Sequence, residues 1–143
     1  MKIYGIEKSP DMIEAAKKSL SNNFYQCNVQ IGDALRLPYD DNEFDLVVSV
    51  RFIPHILTFG QAIIALKEFQ RVTNKYVIVQ LREREERRYR RRLPKSNEKM
   101  DSWLYPIEIE KLLSDVGFQI LEKSEVFSEK GSRAYLCKKT TMK

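Results

Sequence analysis

Short apolar runs alternate with amphipathic stretches along this chain, and that alternation predicts its elements. Lys2-Ile3-Tyr4-Gly5-Ile6-Glu7 reads as a short strand. Ser9-Pro10-Asp11 then opens a helix, because Ser9 can cap it, Pro10 suits the first helical position and Asp11 complements the dipole. Met12, Ala16 and Leu20 recur at i, i+4 with Ile13 beside them, which predicts the buried face, and Ser21-Asn22-Asn23 ends the helix. Val29-Gln30-Ile31 is the next strand and runs into Gly32-Asp33-Ala34. Strand, helix and strand joined by short links predict a right-handed parallel unit.

The stretch Leu35-Arg36-Leu37-Pro38-Tyr39-Asp40-Asp41-Asn42 carries a proline and an Asp/Asn cluster and reads as a loop. Phe44-Asp45-Leu46-Val47-Val48-Ser49 is an unbroken, β-branched run, too short for a surface helix, and predicts a strand buried on both faces. Arg51-Phe52-Ile53-Pro54-His55-Ile56 reads as a loop or short turn. A helix is expected over residues 61–72, with Ala62, Ile63, Leu66 and Phe69 inward, followed by a strand at Tyr76-Val77-Ile78-Val79. Pro106 starts another helix, with Ile109, Leu112, Leu113 and Val116 as its stripe and Gly117 as its stop. Phe118-Gln119-Ile120-Leu121 begins a strand that extends toward Phe127, and Arg133-Ala134-Tyr135-Leu136-Cys137-Lys138 returns antiparallel to it.

Composition narrows the class. The 143 residues, 43% of them apolar, suit one domain with a real core. No run is long enough to cross a bilayer and the first residues do not form a signal peptide, so a cytoplasmic protein without membrane attachment is expected. Cys27 and Cys137 lack CxxC spacing and there is one histidine, so no metal site is expected and both thiols should be reduced and buried. A net charge of +5 permits an anionic partner without demanding one.

Asp33-Ala34, then Leu37-Pro38, then Phe44-Asp45-Leu46-Val47, in this order and spacing, closely resembles the middle of class I S-adenosylmethionine-dependent methyltransferases of the type 11 kind. Gly5-Ile6-Glu7 with Ser9-Pro10-Asp11-Met12, Pro54-His55-Ile56, Leu66-Lys67-Glu68 with Arg71-Val72, and Gly117-Phe118 extend the resemblance over nearly the whole chain. It implies an α/β fold: a Rossmann-like methyltransferase sheet, mostly parallel, with a C-terminal antiparallel hairpin. It also implies a single domain over 1–143 that lacks its N-terminal part, because the family's first strand and glycine-rich loop have no counterpart. The five glycines, Gly5, Gly32, Gly60, Gly117 and Gly131, form no GxGxG. Three arrangements are open: a truncated copy of a longer enzyme, a shrunken sheet in which the two flanking strands pair directly, or a strand donated by a partner chain or a second copy.

The resemblance also implies site residues. Glu7, at a strand end, would accept hydrogen bonds from the ribose hydroxyls of S-adenosylmethionine. Asp33 would accept from the adenine amino group, the Ala34 N–H would donate to a ring nitrogen and Leu35 would pack on the base. Backbone groups of Val50, Arg51 and Phe52 would face the sulfonium. Arg51 departs from the small or apolar residue usual there, and a cation next to a sulfonium is unfavourable by Coulomb's law unless it points away or pairs with the cofactor's carboxylate. His55 is the candidate general base, against a packing role, and methyl transfer requires alignment more than a base.

Residues 82–101 form a basic, polar segment, expected to be mobile. Its uncompensated half, Arg88, Tyr89, Arg90, Arg91 and Arg92, suits phosphates or stacked bases, against the alternative of a solvated insertion. Trp103 and Tyr105 would line an acceptor pocket or anchor the next helix. The expected function is methyl transfer to a small molecule or RNA. The alternative is a non-catalytic remnant that binds RNA, or serves as a scaffold, through the arginines.

Overall fold

A computed structural model describes residues 2–20, 27–84, 95–99, 104–126 and 131–140. These fall into two compact units, Met1–Pro38 and Tyr39–Lys143.

The first unit is a β-α-β element: β1 (Ile3–Glu7), α1 (Pro10–Leu20) and β2 (Cys27–Ile31). The strands pair in parallel, with Ile3 opposite Cys27 and Glu7 opposite Ile31. Ser9 caps α1 as its sequence position predicts, its Oγ accepting from Met12 N at 3.4 Å. The inward stripe differs from expectation. Ile13 is the buried residue of α1, whereas Met12 and Leu20 are 58% and 49% exposed. A two-stranded sheet is narrower than the i, i+4 row, so only the residue over its centre is covered.

The second unit contains β3 (Phe44–Ser49), α2 (Ile53–Ile56), α3 (Phe59–Val72), β4 (Thr73–Arg82), α4 (Pro106–Val116), β5 (Phe118–Glu125) and β6 (Ser132–Lys139). Its four-stranded sheet runs β3-β4-β6-β5, with β3 parallel to β4 and the β4-β6 and β6-β5 pairs antiparallel. The parallel strands and the C-terminal hairpin of the sequence reading are both present. Among the described residues, β1 and β3 are hydrogen-bonded in separate sheets.

The core lies in this unit. Leu66 and Phe69 of α3 and Ile109 and Leu113 of α4 are buried, as are Val77, Val79 and Leu81 on one face of β4. Helix α3 begins two residues before its predicted start because Thr58 and Gln61 form a capping box: Thr58 Oγ1 accepts from Gln61 N at 3.3 Å, and Gln61 Oε1 from Thr58 N at 3.0 Å. Gly117 stops α4 in the left-handed conformation, at φ 97°.

β3 corrects the sequence reading. Among the described residues it is an edge strand, hydrogen-bonded to β4 alone, and Leu46 and Val48 are 47% and 57% exposed. An apolar run fixes a strand but not how many neighbours cover it. Several residues of the basic segment are among those described. Arg82 completes β4, Arg84 N donates to Leu104 O at 2.9 Å, and residues 95–99 meet α3 through Phe59 N to Glu98 O at 2.7 Å.

Neither cysteine is in a disulfide; Cys137 is buried, as expected, whereas Cys27 is half-buried, because β2 lies in a sheet of two strands. Burial pushes the Cys137 thiol from its ordinary 9.0 up to about 12. The folded state therefore keeps a proton that the unfolded chain releases, so this contribution is whole below pH 9 and is lost as pH rises toward 12. Unfolding free energies should fall by about 2–3 kcal/mol between pH 7 and 11 from this group. Denaturant melts across that range should show a shallower fall for Cys137→Ala, whereas parallel curves would refute the assignment.

Candidate functional site

The carboxyl ends of β1 and β2 carry the acidic residues picked out by the sequence. Because the strands are parallel, both end at the same edge, and the Gly32 N–H donates to the Glu7 carbonyl at 3.0 Å. Asp33 follows directly. An ion pair crosses between the two strand ends, Lys8 Nζ to Asp33 Oδ2 at 2.8 Å.

Each carboxylate is partly used by its own loop. Glu7, half-buried, accepts from Ser9 N at 2.8 Å through Oε1, which leaves its second oxygen outside that bond. Asp33 Oδ1 accepts from Leu35 N at 2.9 Å, and the Asp33 carbonyl accepts from Arg36 N at 3.0 Å. This is the self-capped aspartate turn that competes with a binding role. The Lys8 ammonium, then the Leu35 N–H, hold the Asp33 carboxyl below the usual carboxylate range, so it stays an acceptor at neutral pH. Lys8 is 78% exposed, and such a surface pair contributes about 0–1 kcal/mol, little resistance to a competing donor. The Ala34 N–H lies outside the turn's two hydrogen bonds, and Ala34 and Leu35 are half-buried.

In the second unit, the turn after β3 carries Val50, Arg51 and Phe52. Val50 is 52% exposed, Arg51 is exposed and Phe52 is half-buried. Arg51 sits at φ 56°, in the left-handed region that costs a residue of its kind about 1–2 kcal/mol. The turn is held from below: Arg51 N donates to Gln80 Oε1 at 2.9 Å, and Gln80, on β4, is 1% exposed. Gln80 Nε2 in turn donates to the buried Ser132 Oγ on β6. Beyond the turn, Ile53 and Pro54 bury the start of α2, while His55 on that helix is exposed.

Ser49, at the end of β3, is 7% exposed, and its Oγ has no hydrogen-bond partner among the described residues. A buried unmet hydroxyl costs about 1–3 kcal/mol. Ser49→Ala should therefore stabilise the protein by about 1 kcal/mol, seen as a thermal midpoint a few degrees higher. A lower midpoint would mean that the hydroxyl is satisfied.

Sequence reasoning missed a charged cluster where β4 ends. Glu83 accepts from the fully buried Tyr135 hydroxyl and pairs with Lys123, and Arg133 lies 3.5 Å away. Desolvation, then the Glu83 carboxylate, push the Tyr135 phenol far above its ordinary range. Only a long-range register brings these residues together, so no local spacing announces them.

Tyr105 is the N-cap of α4, where its N–H donates to Glu108 Oε2 at 2.9 Å. Arg88, Arg90, Arg91, Arg92 and Trp103 lie outside the described residues. Among the described residues, no cluster of His, Cys, Asp and Glu could hold a metal ion, and no helix is long and apolar enough to cross a membrane.

Comparison with known proteins places these features in a family. Residues 1–79, more than half of the chain, match the Methyltransferase domain family. A demethylmenaquinone methyltransferase from Staphylococcus carnosus is 37% identical over 75 residues, a stretch covering 49% of this chain and 27% of that protein. The chain thus matches about a quarter of that curated relative's length. A SAM-dependent methyltransferase from Methanosarcina mazei aligns over 99% of this chain and 83% of its own, with a TM-score of 0.74 and 18% identity. A magnesium protoporphyrin IX methyltransferase from Synechocystis, solved with bound SAM, aligns over 97% of this chain and 60% of its own, with a TM-score of 0.63 and 19% identity. At such identities the structural likenesses speak to the fold, and they agree with the family match on its type. This chain belongs to the methyltransferase domain family and has the Rossmann-like fold of the class I enzymes, whose methyl donor is S-adenosylmethionine.

Proposed function

We propose that this chain binds the nucleoside half of S-adenosylmethionine at the carboxyl ends of β1 and β2 and serves methyl transfer to an acceptor. The observation that carries this reading is the parallel register that ends Glu7 and Asp33 at one sheet edge, joined by the Gly32 N–H to Glu7 carbonyl bond. Ligands of open parallel sheets bind outside the strands' carboxyl ends, where carboxylates can accept from hydroxyl and amino groups.

Glu7 takes the ribose hydroxyls through the oxygen that Ser9 leaves unused. Asp33 takes the adenine amino group in place of Lys8, the Ala34 N–H donates to a ring nitrogen, and Leu35 covers the base. When bound, the cofactor supplies a methyl group activated on a sulfonium, and the protein contributes alignment. The donor set fits a nucleoside better than a methionine tail, since no glycine-rich cradle occurs in the sequence.

Calorimetric titration with S-adenosylhomocysteine tests this, on this chain and on a longer one that carries a glycine-rich loop upstream. Saturable binding in either supports the proposal. Absence of binding in both, with the protein folded, refutes it.

A further inference from the structure

A glycine inside a helix calls for a reason, because alanine in its place would strengthen the helix. Gly60 is the second residue of α3, and what it meets there is backbone from far along the chain. A methyl group on its Cα would stand 2.9 Å from the Ser96 carbonyl oxygen and 3.1 Å from Ser96 Cβ. Only glycine lets the two backbones come this close.

That closeness serves two hydrogen bonds. The first amides of a helix have no partner within it. Gln61 N donates to Thr58 Oγ1, and the two amides before it are satisfied from outside the helix: Phe59 N donates to Glu98 O at 2.7 Å and Gly60 N to Ser96 O at 2.8 Å. Thr58 also forms a β-bridge with Lys99. Residues 95–99 hold their own turn, Glu98 N donating to Lys95 O at 3.0 Å and Lys95 N to Glu98 Oε2 at 2.9 Å, so they can leave α3 and return as one piece.

The chain between β4 and α4 has a second foot, built differently. Glu83 N donates to Gly131 O at 2.8 Å and Arg84 N to Leu104 O at 2.9 Å. Leu104 is buried, and the Glu83 carboxylate is held by Tyr135 and Lys123. At the first foot, Lys95, Ser96, Asn97 and Lys99 are exposed, and none of residues 95–99 is apolar. A contact that rests on solvent-exposed backbone bonds without apolar burial opens locally, well below the free energy of global unfolding.

We infer that residues 95–99 are a latch on the first turn of α3, seated by Gly60, that opens while the foot at Glu83 and Leu104 stays closed. Opening lengthens the chain between fixed points from the ten residues 85–94 to the nineteen residues 85–103. Both spans contain Arg87, Arg88, Arg90, Arg91 and Arg92, and the greatest reach of a span grows with its number of residues. The latch therefore sets how far this arginine run can extend from the second unit.

Amide hydrogen exchange on the whole chain, in buffer and at low denaturant, tests this. In the wild-type protein the Phe59 and Gly60 amides should be protected at least about tenfold over an unstructured amide, yet at least about tenfold less than Glu83 and Arg84. Gly60→Ala should abolish the protection of Phe59, while the Ala65 and Leu66 amides within α3 keep theirs. Wild-type Phe59 and Gly60 amides that lack protection, or that exchange together with Glu83 and Arg84, overturn the inference. Unchanged Phe59 protection in a folded Gly60→Ala protein overturns it as well. The wild-type comparison needs no variant and decides the matter if Gly60→Ala fails to fold.

Discussion

Replacing Glu83 by alanine is expected to destabilise the second unit by about 3 kcal/mol, the largest loss from one side chain considered for this protein. Glu83 is 10% exposed and takes the Tyr135 hydroxyl and the Lys123 ammonium together, with Arg133 close by. Its removal leaves the Tyr135 hydroxyl buried without an acceptor, at a cost of about 1–3 kcal/mol. Lys123 and Arg133 are 35% and 24% exposed, so water recovers part of their loss and keeps the total below that of a fully buried pair. Thermal unfolding should show a midpoint more than about 10 °C lower. Adding Tyr135→Phe should recover part of the deficit, because the orphaned hydroxyl goes with it. A shift of a degree or two would mean that the cluster is solvated and carries little.

The second large effect falls on binding. Glu7→Gln preserves an acceptor for Ser9 N, so α1 keeps its entry, but the charge offered to the ribose is gone. Hydrogen bonds to charged groups contribute about 1.5–3 kcal/mol, so the dissociation constant for S-adenosylhomocysteine should rise about 10- to 150-fold. Asp33→Asn should act in the same direction, because an amide presents one acceptor oxygen where the carboxylate presents two. Lys8→Ala should leave affinity unchanged or improve it, since it removes the cation that competes for Asp33. Calorimetry on the three variants reads the pattern, and tighter binding in Glu7→Gln would contradict the assigned role.

Much of this architecture is legible in the sequence because its signals are local. Ser9 and Pro10 mark where α1 begins, Gly117 marks where α4 ends, and the apolar runs around Val47 and Val77 mark parallel neighbours. The acidic strand ends are legible for the same reason, since position along a parallel strand decides which end a residue occupies.

What escaped depends on partners distant in sequence. The exposure of Leu46 and Val48 follows from β3 having one hydrogen-bonded neighbour among the described residues, and an apolar run does not count neighbours. Met12 obeys the helical period, yet a two-stranded sheet gives it nothing to cover. Gln80 and Glu83 look like ordinary polar residues near a strand end until the β4-β6 register places Ser132 and Tyr135 within their reach. Both are polar groups whose burial is tolerable only because every partner arrives from elsewhere in the fold.

Backbone amide NMR during titration with S-adenosylhomocysteine probes the paired acidic strand ends most directly. The account predicts that the Glu7, Lys8, Ala34 and Leu35 amide signals shift together and saturate with one dissociation constant. Saturating shifts elsewhere while these four stay still would contradict it.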